Sequence, residues 1–250
     1  MRVAVLSDIH GNCIALDSAL QDLDRNPAEK LVCLGDAIQG GPQPAQVVAR
    51  LRELGCPVVM GNADAWLLRG VETGHEIISK ERRRTLDAVR AWSLAQLSVA
   101  DRAFIELFQP TVELGLEAGR KLLCFHGTPE SFDDILLPDT PQDAFSKFLG
   151  KYEADALTGG HTHVQYVRRL GADGRLFFNP GSIGLAYSHH QPDENFRADP
   201  WAEYAVLTSE GERLTLEFRR VPYDVAPLID LYRTSGRPYA VQAVAQYGGR

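Results

Sequence analysis

Two histidines one residue apart, in the stretch GHTH at 160–163, are the first residues of this sequence whose spacing suggests chemistry. Imidazole is a common metal ligand. Other polar residues with metal-binding side chains also follow short apolar runs, and the full set is Asp8, His10, Asp36, Asn62, His126, His161 and His163. Carboxylate, amide oxygen and imidazole suit Mn, Fe, Zn, Ni or Co. Seven ligands are too many for one tetrahedral ion and about right for two, so the sequence predicts a site for two cations.

Each of these residues also has an ordinary structural interpretation. Asp and Asn after a strand often cap a turn or a helix, and a single loop histidine is more often solvated or hydrogen-bonded than a ligand. We interpret His75, His189 and His190 in that way. The set of seven differs because every member follows an apolar run and has a glycine nearby. Buried acids without partners would be costly, and a cation explains why they converge.

The elements that must position these side chains begin with a repeat of strand and helix. Three continuous apolar runs predict strands covered on both faces, at 3–6, 31–34 and 57–60. Two helices are predicted between them, at 13–24 and from Pro42 or Pro44 to Gly55. Parallel strands bring their carboxyl ends to one edge, where open α/β sheets bind ligands. The two aspartates and the asparagine of the set are therefore expected to meet there.

The rest of the chain predicts further helices and three hairpins. Mostly helical sequence covers 63–108, with a capping box at Ser98 and Asp101. Hairpins are predicted at 111–125, 164–178 and 203–221. More helices are predicted at 139–150 and in the C-terminal segment 223–247. We therefore predict one α/β domain over 1–250, with two mixed sheets and helices outside.

Composition limits the classes of function. The net charge is −7, from 26 basic and 33 acidic residues, which gives no strong sign of nucleic-acid binding. The apolar runs are far shorter than the about 20 residues that span a bilayer, and the first residues lack signal-peptide features, so we expect no membrane association. The four cysteines form no CxxC pair, and we interpret them as buried free thiols in a reducing compartment. The expected location is the cytoplasm.

Five motifs occur in the order DIHGN, GDAIQGGP, GNAD, HGTP and GHTH, and NPGS follows at 179–182. In that order they resemble the calcineurin-like metallophosphoesterases, in particular their small bacterial and archaeal phosphodiesterase-like branch. The resemblance runs from residue 3 to about 220, and the set is highly specific although no single motif is. It implies a four-layer αββα sandwich, in which two mixed β-sheets are flanked by helices.

The resemblance also assigns ligands to two divalent metal ions. Asp8, His10 and His163 would hold one ion, Asn62, His126 and His161 the other, and Asp36 would bridge both. The two histidines of GHTH would then serve different ions. Manganese is the first expectation for the metal, with Fe, Zn, Ni, Co or Mg as alternatives.

Such a centre implies hydrolysis of a phosphate ester. Two cations about 3.5–4 Å apart lower the pKa of a shared water, and the hydroxide attacks phosphorus in line with the leaving oxygen. Catalytic roles are expected for Asp36, Asn62, Asp64 and His126. The chain departs from the family pattern at Ala63, where many members have a histidine that orients the substrate or protonates the leaving oxygen. Asp64 is either a partner of a ligand histidine or a helix cap, and substrates with good leaving groups are expected to react best.

The expected substrate is a small phosphorylated molecule, either a phosphodiester or a nucleotide. A dinucleoside polyphosphate hydrolase and a protein phosphatase are the alternative enzymes. A metal-binding interaction scaffold is the alternative without catalysis, because the retromer subunit, in a eukaryotic branch of the family, uses this fold in that way. A homodimer is a further expectation.

Candidate substrate contacts are less specific than the metal ligands. Asn12 and Asn62 are assigned to the substrate, although Asn12 can instead cap the helix at 13–24. The helical segment about 66–108, with its arginines, is either a cap over the site or a solvated helix face. The loop at 188–200 is long and irregular, which is common in functional loops, so it is a second candidate cover.

Overall fold

Short apolar segments form the strands of this chain, whose computed structural model describes residues 1–71, 79–171, 174–192 and 196–248. In chain order the strands are β1 (Arg2–Leu6), β2 (Lys30–Cys33), β3 (Val112–Gly115), β4 (Lys121–Cys124), β5 (Ala156–Thr158), β6 (Gln165–Arg169), β7 (Leu176–Pro180), β8 (Trp201–Glu210) and β9 (Arg213–Pro222). Four of the five residues of β1 are buried, because RVAVL has apolar side chains on both faces.

Helices with one apolar face connect and cover these strands. They are α1 (Cys13–Arg25), α2 (Pro44–Leu54), α3 (Asn62–Arg69), α4 (Lys80–Gln96), α5 (Val99–Ile105), α6 (Gln142–Leu149), α7 (Ala226–Thr234) and α8 (Ala240–Ala245). Their ends follow local sequence rules. Pro44 opens α2, Gly55 ends it in the left-handed conformation, and the predicted capping box of Ser98 and Asp101 begins α5.

The strands form two mixed sheets. The first has the order β2–β1–β8–β9, in which β1 runs parallel to β2 and antiparallel to β8. The second has the order β3–β4–β5–β7–β6, in which β4, β5 and β7 run parallel and the edge strands run antiparallel to them. The mixed α/β class that the sequence predicts is confirmed.

Three apolar clusters separate four layers. One cluster packs α1, α2 and α7 on the outer face of the first sheet, through residues such as Leu16, Leu51 and Leu228. A second lies between the sheets, where Val3 and Val5 of β1 share a core with Leu122 and Phe178. A third packs α6 on the outer face of the second sheet. Helix, sheet, sheet and helix therefore stack in the predicted order.

The three predicted hairpins are present as β3–β4, β6–β7 and β8–β9. The C-terminal segment forms α7 and α8, within the predicted range. The cysteines are free thiols as predicted, although Cys56 is only half-buried. Within the described ranges no helix combines the length and apolarity that crossing a membrane requires.

The prediction of a strand at 57–60 is wrong. This segment is held by single bridges, from Val58 to Cys33 beside β2 and from Val59 to Gln109. Pro57 has no N–H to extend the pairing, and the chain turns into α3 at Asn62. The segment still runs beside β2, so it delivers Asn62 to the same edge of the sheet.

The helical segment about 66–108 packs on the outer helical layer. It comprises the end of α3 with α4 and α5, and both α4 and α5 contact α2. Arg69 and the three arginines at 82–84 are exposed, as expected for a solvated helix face. Part of the predicted cap, together with His75, lies outside the described residues.

Candidate metal centre

Loops that follow strands of both sheets meet at one end of the sandwich. Asp8 lies just past β1 and Asp36 just past β2, in the first sheet. His126 follows β4, and both histidines of GHTH follow β5, in the second sheet. The two sheets therefore deliver polar side chains to a common region, where they form two groups of candidate metal ligands.

The first group consists of Asp8, His10 and His163, whose candidate ligand atoms lie within 4.8 Å of one another. Oδ1 of Asp8 lies 3.2 Å from Nε2 of His163 and 3.7 Å from Nε2 of His10. The two Nε2 atoms face each other at 3.1 Å. Oδ2 of Asp8 accepts hydrogen bonds from the Ser7 hydroxyl and the His161 backbone amide. These bonds hold the carboxylate with Oδ1 toward the histidines.

The second group consists of Asp36, His126 and His161, again with ligand atoms within 4.8 Å of one another. Nε2 of His126 lies 3.5 Å from Oδ2 of Asp36 and 3.0 Å from Oδ1 of Asn62. The rings of His126 and His161 are 5.1 Å apart. Asn62, the first residue of α3, therefore joins this group.

Asp36 lies between the two groups. Its Oδ1 accepts the backbone amide of Ala63 at 2.8 Å, which fixes the carboxylate. Its Oδ2 lies 3.5 Å from Nε2 of His126 in one group and 3.9 Å from Nε2 of His10 in the other. One carboxylate oxygen thus approaches a histidine of each group.

Three of the histidines are oriented by backbone carbonyls. Their Nδ1 atoms donate to Gln39 O (His10, 2.9 Å), Leu34 O (His126, 2.8 Å) and Leu185 O (His163, 2.7 Å). A carbonyl only accepts hydrogen bonds, so in the neutral imidazole Nδ1 carries the proton and Nε2 carries the lone pair. This is the tautomer and second hydrogen bond that metal-ligating histidines have.

The candidate ligand atoms of the first group are better suited to binding a shared cation than to contacting one another directly. Oδ1 of Asp8 is buried and has no hydrogen-bond partner among the described residues. The facing Nε2 lone pairs of His10 and His163 repel at 3.1 Å unless a proton or a cation lies between them. Unpaired buried acceptors are costly. A divalent cation would supply one partner to all of these atoms, so the residues present suit a metal.

The charges of the acids and histidines support one another. Burial alone would raise the pKa of Asp8, but His163 and His10 hold that pKa well below its usual range. Burial likewise opposes ionisation of Asp36, yet His126 and His10 lower its pKa to about 2. Burial would lower the pKa values of His10 and His126, but Asp8 and Asp36 raise each to about 9. Both aspartates are thus carboxylates at neutral pH, the form that binds metal, whereas His10 and His126 would each release a proton when they bind one.

Five of the seven candidate ligands have left-handed backbone conformations that are rare outside glycine. Their φ angles are 54° for Asp8, 47° for His10, 49° for Asp36, 66° for His161 and 57° for His163. Such residues cost of order 1–3 kcal/mol each and concentrate at functional sites. The turn geometry also explains the spacing of GHTH, because it sends His161 to one group and His163 to the other.

Two glycines allow the backbone to approach the carboxylates. A Cβ at Gly61 would overlap Oδ1 of Asp36, and a Cβ at Gly160 would overlap the Ser7 hydroxyl that binds Asp8. Both glycines precede a candidate ligand in the sequence. Here glycine is required by close approach rather than by turn conformation.

Asp64 differs from both of its predicted roles. It is fully buried, and its two oxygens accept the backbone amides of Ala37 and Ile38 at 3.1 and 3.0 Å. Burial and the nearby charge of Asp36 raise the pKa of Asp64 to about 6. Asp64 therefore holds the loop that carries Asp36 and neither binds a ligand histidine nor caps α3.

Asn12 is a helix cap rather than an exposed substrate contact. It is 2% exposed, and its Oδ1 accepts the Ala15 amide at the start of α1. Its Nδ2 donates to Gly184 O and to the Tyr223 hydroxyl. All polar atoms of the side chain are engaged inside the protein, so the predicted substrate contact of Asn12 is not supported.

The NPGS motif holds two of the candidate ligand loops through hydrogen bonds, a role that the sequence did not reveal. Asn179 donates to Gly160 O and to the Thr162 hydroxyl, so it braces the GHTH turn. Ser182 donates to the backbone carbonyl of Asp8. The position of NPGS after an apolar run was the available signal, because the five other motifs in such positions carry candidate ligands.

His189, interpreted as an ordinary loop histidine, is exposed but lies beside the centre. Its Nε2 donates to Thr162 O at 2.7 Å, on the turn between His161 and His163. Its ring stacks on Tyr187 with the centroids 4.7 Å apart. Tyr187 in turn contacts the ring of His163. The histidine pair at 189–190 is visible in the sequence, but nothing there indicates which of the two approaches the site.

The fold is shared with solved structures over nearly the whole chain. A metallophosphoesterase from Sphaerobacter thermophilus is 22% identical with a TM-score of 0.73, and the match covers 100% of this chain and 99% of that one. A hypothetical protein from Pyrococcus horikoshii is 20% identical with a TM-score of 0.77, with the same coverage. Among curated sequences, an uncharacterized protein of Methanocaldococcus jannaschii is 26% identical over 89% of this chain and 88% of its own length.

Residues 1–200 match the family model of the calcineurin-like phosphoesterase superfamily domain. The match contains every residue of the two ligand groups. The resemblance seen in the ordered motifs is thereby confirmed. The chain belongs to the calcineurin-like phosphoesterase superfamily, and it is a metal-dependent phosphoesterase.

Proposed function

We propose that this protein uses two divalent cations to hydrolyse a phosphodiester or nucleotide-type phosphate. The observation that carries the proposal is the position of Asp36, whose Oδ2 approaches a histidine of each ligand group. Two groups joined by one carboxylate are the arrangement expected for a pair of ions with a common ligand. A single ion would leave one group of buried acceptors without a partner.

Each ion would have its own ligand set. Asp8, His10 and His163 would hold the first, Asn62, His126 and His161 the second, and Asp36 would bridge them. Bound cations at such a site supply an activated water and neutralise the charge that develops on the phosphoryl oxygens. Carboxylate and amide oxygens suit manganese, and imidazole suits Fe, Zn, Ni or Co. We propose manganese first.

The residues of this chain hold these ligands in place. Backbone carbonyls orient three histidines, Ala63 N–H fixes Asp36, and Ser7 fixes Asp8. Preorganisation of this kind lets the site stabilise developing charge without rearranging. Ala63 contributes a backbone amide but no side chain that can donate a proton. We therefore propose that esters with good leaving groups are the better substrates.

The test is hydrolysis of bis(p-nitrophenyl) phosphate and p-nitrophenyl phosphate by chelator-treated protein, with Mn, Ni, Co, Zn or Mg added back. We expect turnover that depends on the metal and is lost in Asp36→Asn, together with about two ions bound per chain. Asp224→Asn is the matched control, because Asp224 is an exposed carboxylate that also accepts a backbone amide.

An alkyl monoester should react much more slowly than p-nitrophenyl phosphate if no side chain protonates the leaving oxygen. Equal rates for the two monoesters would contradict that part of the proposal. Binding of two ions without hydrolysis of either aryl ester would contradict the enzymatic proposal and favour an interaction scaffold on the same fold.

A further inference from the structure

The loop that follows NPGS carries three aromatic rings beside the metal centre. Tyr187 lies 5.4 Å from His163, 4.7 Å from His189 and 4.9 Å from Phe196, measured between ring centroids. Tyr187 and His189 are nearly parallel, with an interplanar angle of 21°. We call Tyr187, His189 and Phe196 the aromatic platform. None of its residues belongs to either ligand group.

The platform is tied to the ligand turn. His189 donates through Nε2 to Thr162 O, and Thr162 separates the two histidines that serve different groups. The carbonyl of Leu185, two residues before Tyr187, orients His163. One short segment therefore positions a candidate metal ligand and the aromatic rings together, which sets the distance between them.

The base of this loop is closed by internal hydrogen bonds. The Asp199 amide donates to Ala186 O at 2.7 Å. The side chain of Gln191 both accepts from the Arg197 amide and donates to the Arg197 carbonyl. These contacts tie the two ends of the loop to each other. An ordered aromatic surface costs little further entropy when a ligand binds it.

One face of the platform is open. Tyr187 and Phe196 are half-buried, whereas His189 is exposed although one of its faces is covered by Tyr187. The outer face of His189 is thus accessible at the rim of the centre. A buried aromatic cluster that only held the loop together would not place a ring there.

We propose that the outer face of His189, backed by Tyr187, stacks on the base of a nucleotide-type substrate whose phosphate lies at the metal centre. Tyr187 lies between the rings of His163 and His189, tilted by 53° against His163 at 5.4 Å and nearly parallel to His189 at 4.7 Å. A planar group attached to the phosphate through a sugar would extend the stacked pair of Tyr187 and His189. Bases stack readily on aromatic side chains, and every base offers a π face. This inference rests on the proposed function and names its substrate class.

The test compares two substrates with the same leaving group. Thymidine 5′-phosphate p-nitrophenyl ester carries a base, and ethyl p-nitrophenyl phosphate carries none. We expect His189→Asn to lower kcat/KM for the nucleoside ester about tenfold more than for the ethyl ester, mainly through KM. His189→Phe keeps an aromatic face and should retain the preference for the nucleoside ester.

A structural role for His189 predicts a different pattern. If it only supported the GHTH turn through Thr162 O, His189→Asn and His189→Phe would each change turnover of the two esters in the same proportion. An unchanged ratio of the two esters in His189→Asn would overturn the inference. His190→Ala is the matched control, because the neighbouring His190 is exposed and has no ring contact in the described structure.

A second readout does not depend on turnover. Calorimetry on metal-loaded protein should show that adenosine 5′-monophosphate binds more tightly than inorganic phosphate, and that His189→Asn removes most of the difference while His189→Phe does not. Equal affinities in the unaltered protein would contradict the stacking proposal. Failure of the proposed function is distinguishable, because it would abolish hydrolysis of bis(p-nitrophenyl) phosphate itself.

Discussion

The left-handed backbone conformation of the candidate metal ligands is strained. Five of the seven have φ between 47° and 66°. Asp and His tolerate this region better than most residues, yet it remains less favourable than for glycine. The strain is offset by side-chain anchors, such as the hydrogen bonds from Ser7 and the His161 amide to Asp8.

Two substitutions of His161 distinguish the cost of its backbone strain from the effect of losing its imidazole. His161→Gly and His161→Ala both remove the imidazole, but only glycine relieves φ of 66°. In chelator-treated protein we expect His161→Gly to have a free energy of unfolding about 1 kcal/mol higher than His161→Ala, measured in urea.

The same pair of substitutions at His190 provides the control. His190 is exposed and its φ is not positive, so there the alanine variant should be at least as stable as the glycine variant. Equal stabilities of the two His161 variants would show that the turn relaxes when the side chain is lost.

At the scale of elements, α1 is anchored to the site from its first turn. Asn12 caps α1 through Oδ1 and reaches Gly184 O and Tyr223 through Nδ2. The amide of Gly184 donates to the carbonyl of Asp8. The helix start, the NPGS loop and the first ligand loop are therefore one connected unit.

Asn12→Ala should cost more than the loss of an ordinary cap. It removes the cap and leaves buried partners unsatisfied, so we expect a loss of about 2–3 kcal/mol in the free energy of unfolding. Ser98→Ala, at the exposed capping box of α5, should cost about 1 kcal/mol. Urea unfolding of chelator-treated protein measures both. An Asn12→Ala loss no larger than that of Ser98→Ala would mean that the contacts to Gly184 and Tyr223 contribute nothing.

Much of the element order could be predicted because periodicity and turn residues are local. The strand at 3–6, the helix ending at Gly55 and the hairpin β8–β9 follow from apolar spacing and from glycine positions. The segment 57–60 could not be judged in this way. Its apolar run resembles a strand, but its pairing depends on Gln109, about fifty residues away.

In the candidate site, too, some features could be predicted from the sequence and others could not. Residue types and neighbouring glycines identified the candidate ligands, because the ability to bind a metal depends on the side chain itself. The roles of Asp64 and Asn12 depend on backbone amides and carbonyls that only folding brings near. The sequence does not distinguish His189 from an ordinary loop residue for the same reason, since Thr162 and Tyr187 approach it only in three dimensions.

At the scale of the whole molecule, the two candidate ligand groups combine residues from both sheets. Asp8 and Asp36 come from the first sheet, and His126, His161 and His163 from the second. A cation bound by ligands from both sheets binds only the folded chain, so it must stabilise the native state.

The dependence of the free energy of unfolding on free metal concentration should reveal how many ions bind. Above saturation, each tenfold rise in free metal adds about 1.4 kcal/mol per bound ion. We expect the free energy of unfolding in buffered Mn²⁺ to rise with the slope of two ions, and Asp36→Asn to lower that slope. A one-ion slope in the unaltered protein would contradict the two-cation proposal. Asp224→Asn again provides the control with an unchanged slope.

The pairing of β1 with β8 also determines when the site can form during synthesis. Arg2 pairs with Thr208, so β1 is made long before its partner strand β8. At about 5–20 residues per second, β1 waits roughly 10–40 s on the ribosome with one edge unpaired. Asp8, which follows β1, is made early, but the Gly184 and Ser182 contacts that hold its backbone come from chain made much later. A nascent chain therefore cannot hold the first ligand group in this way until Ser182 and Gly184 have left the ribosome.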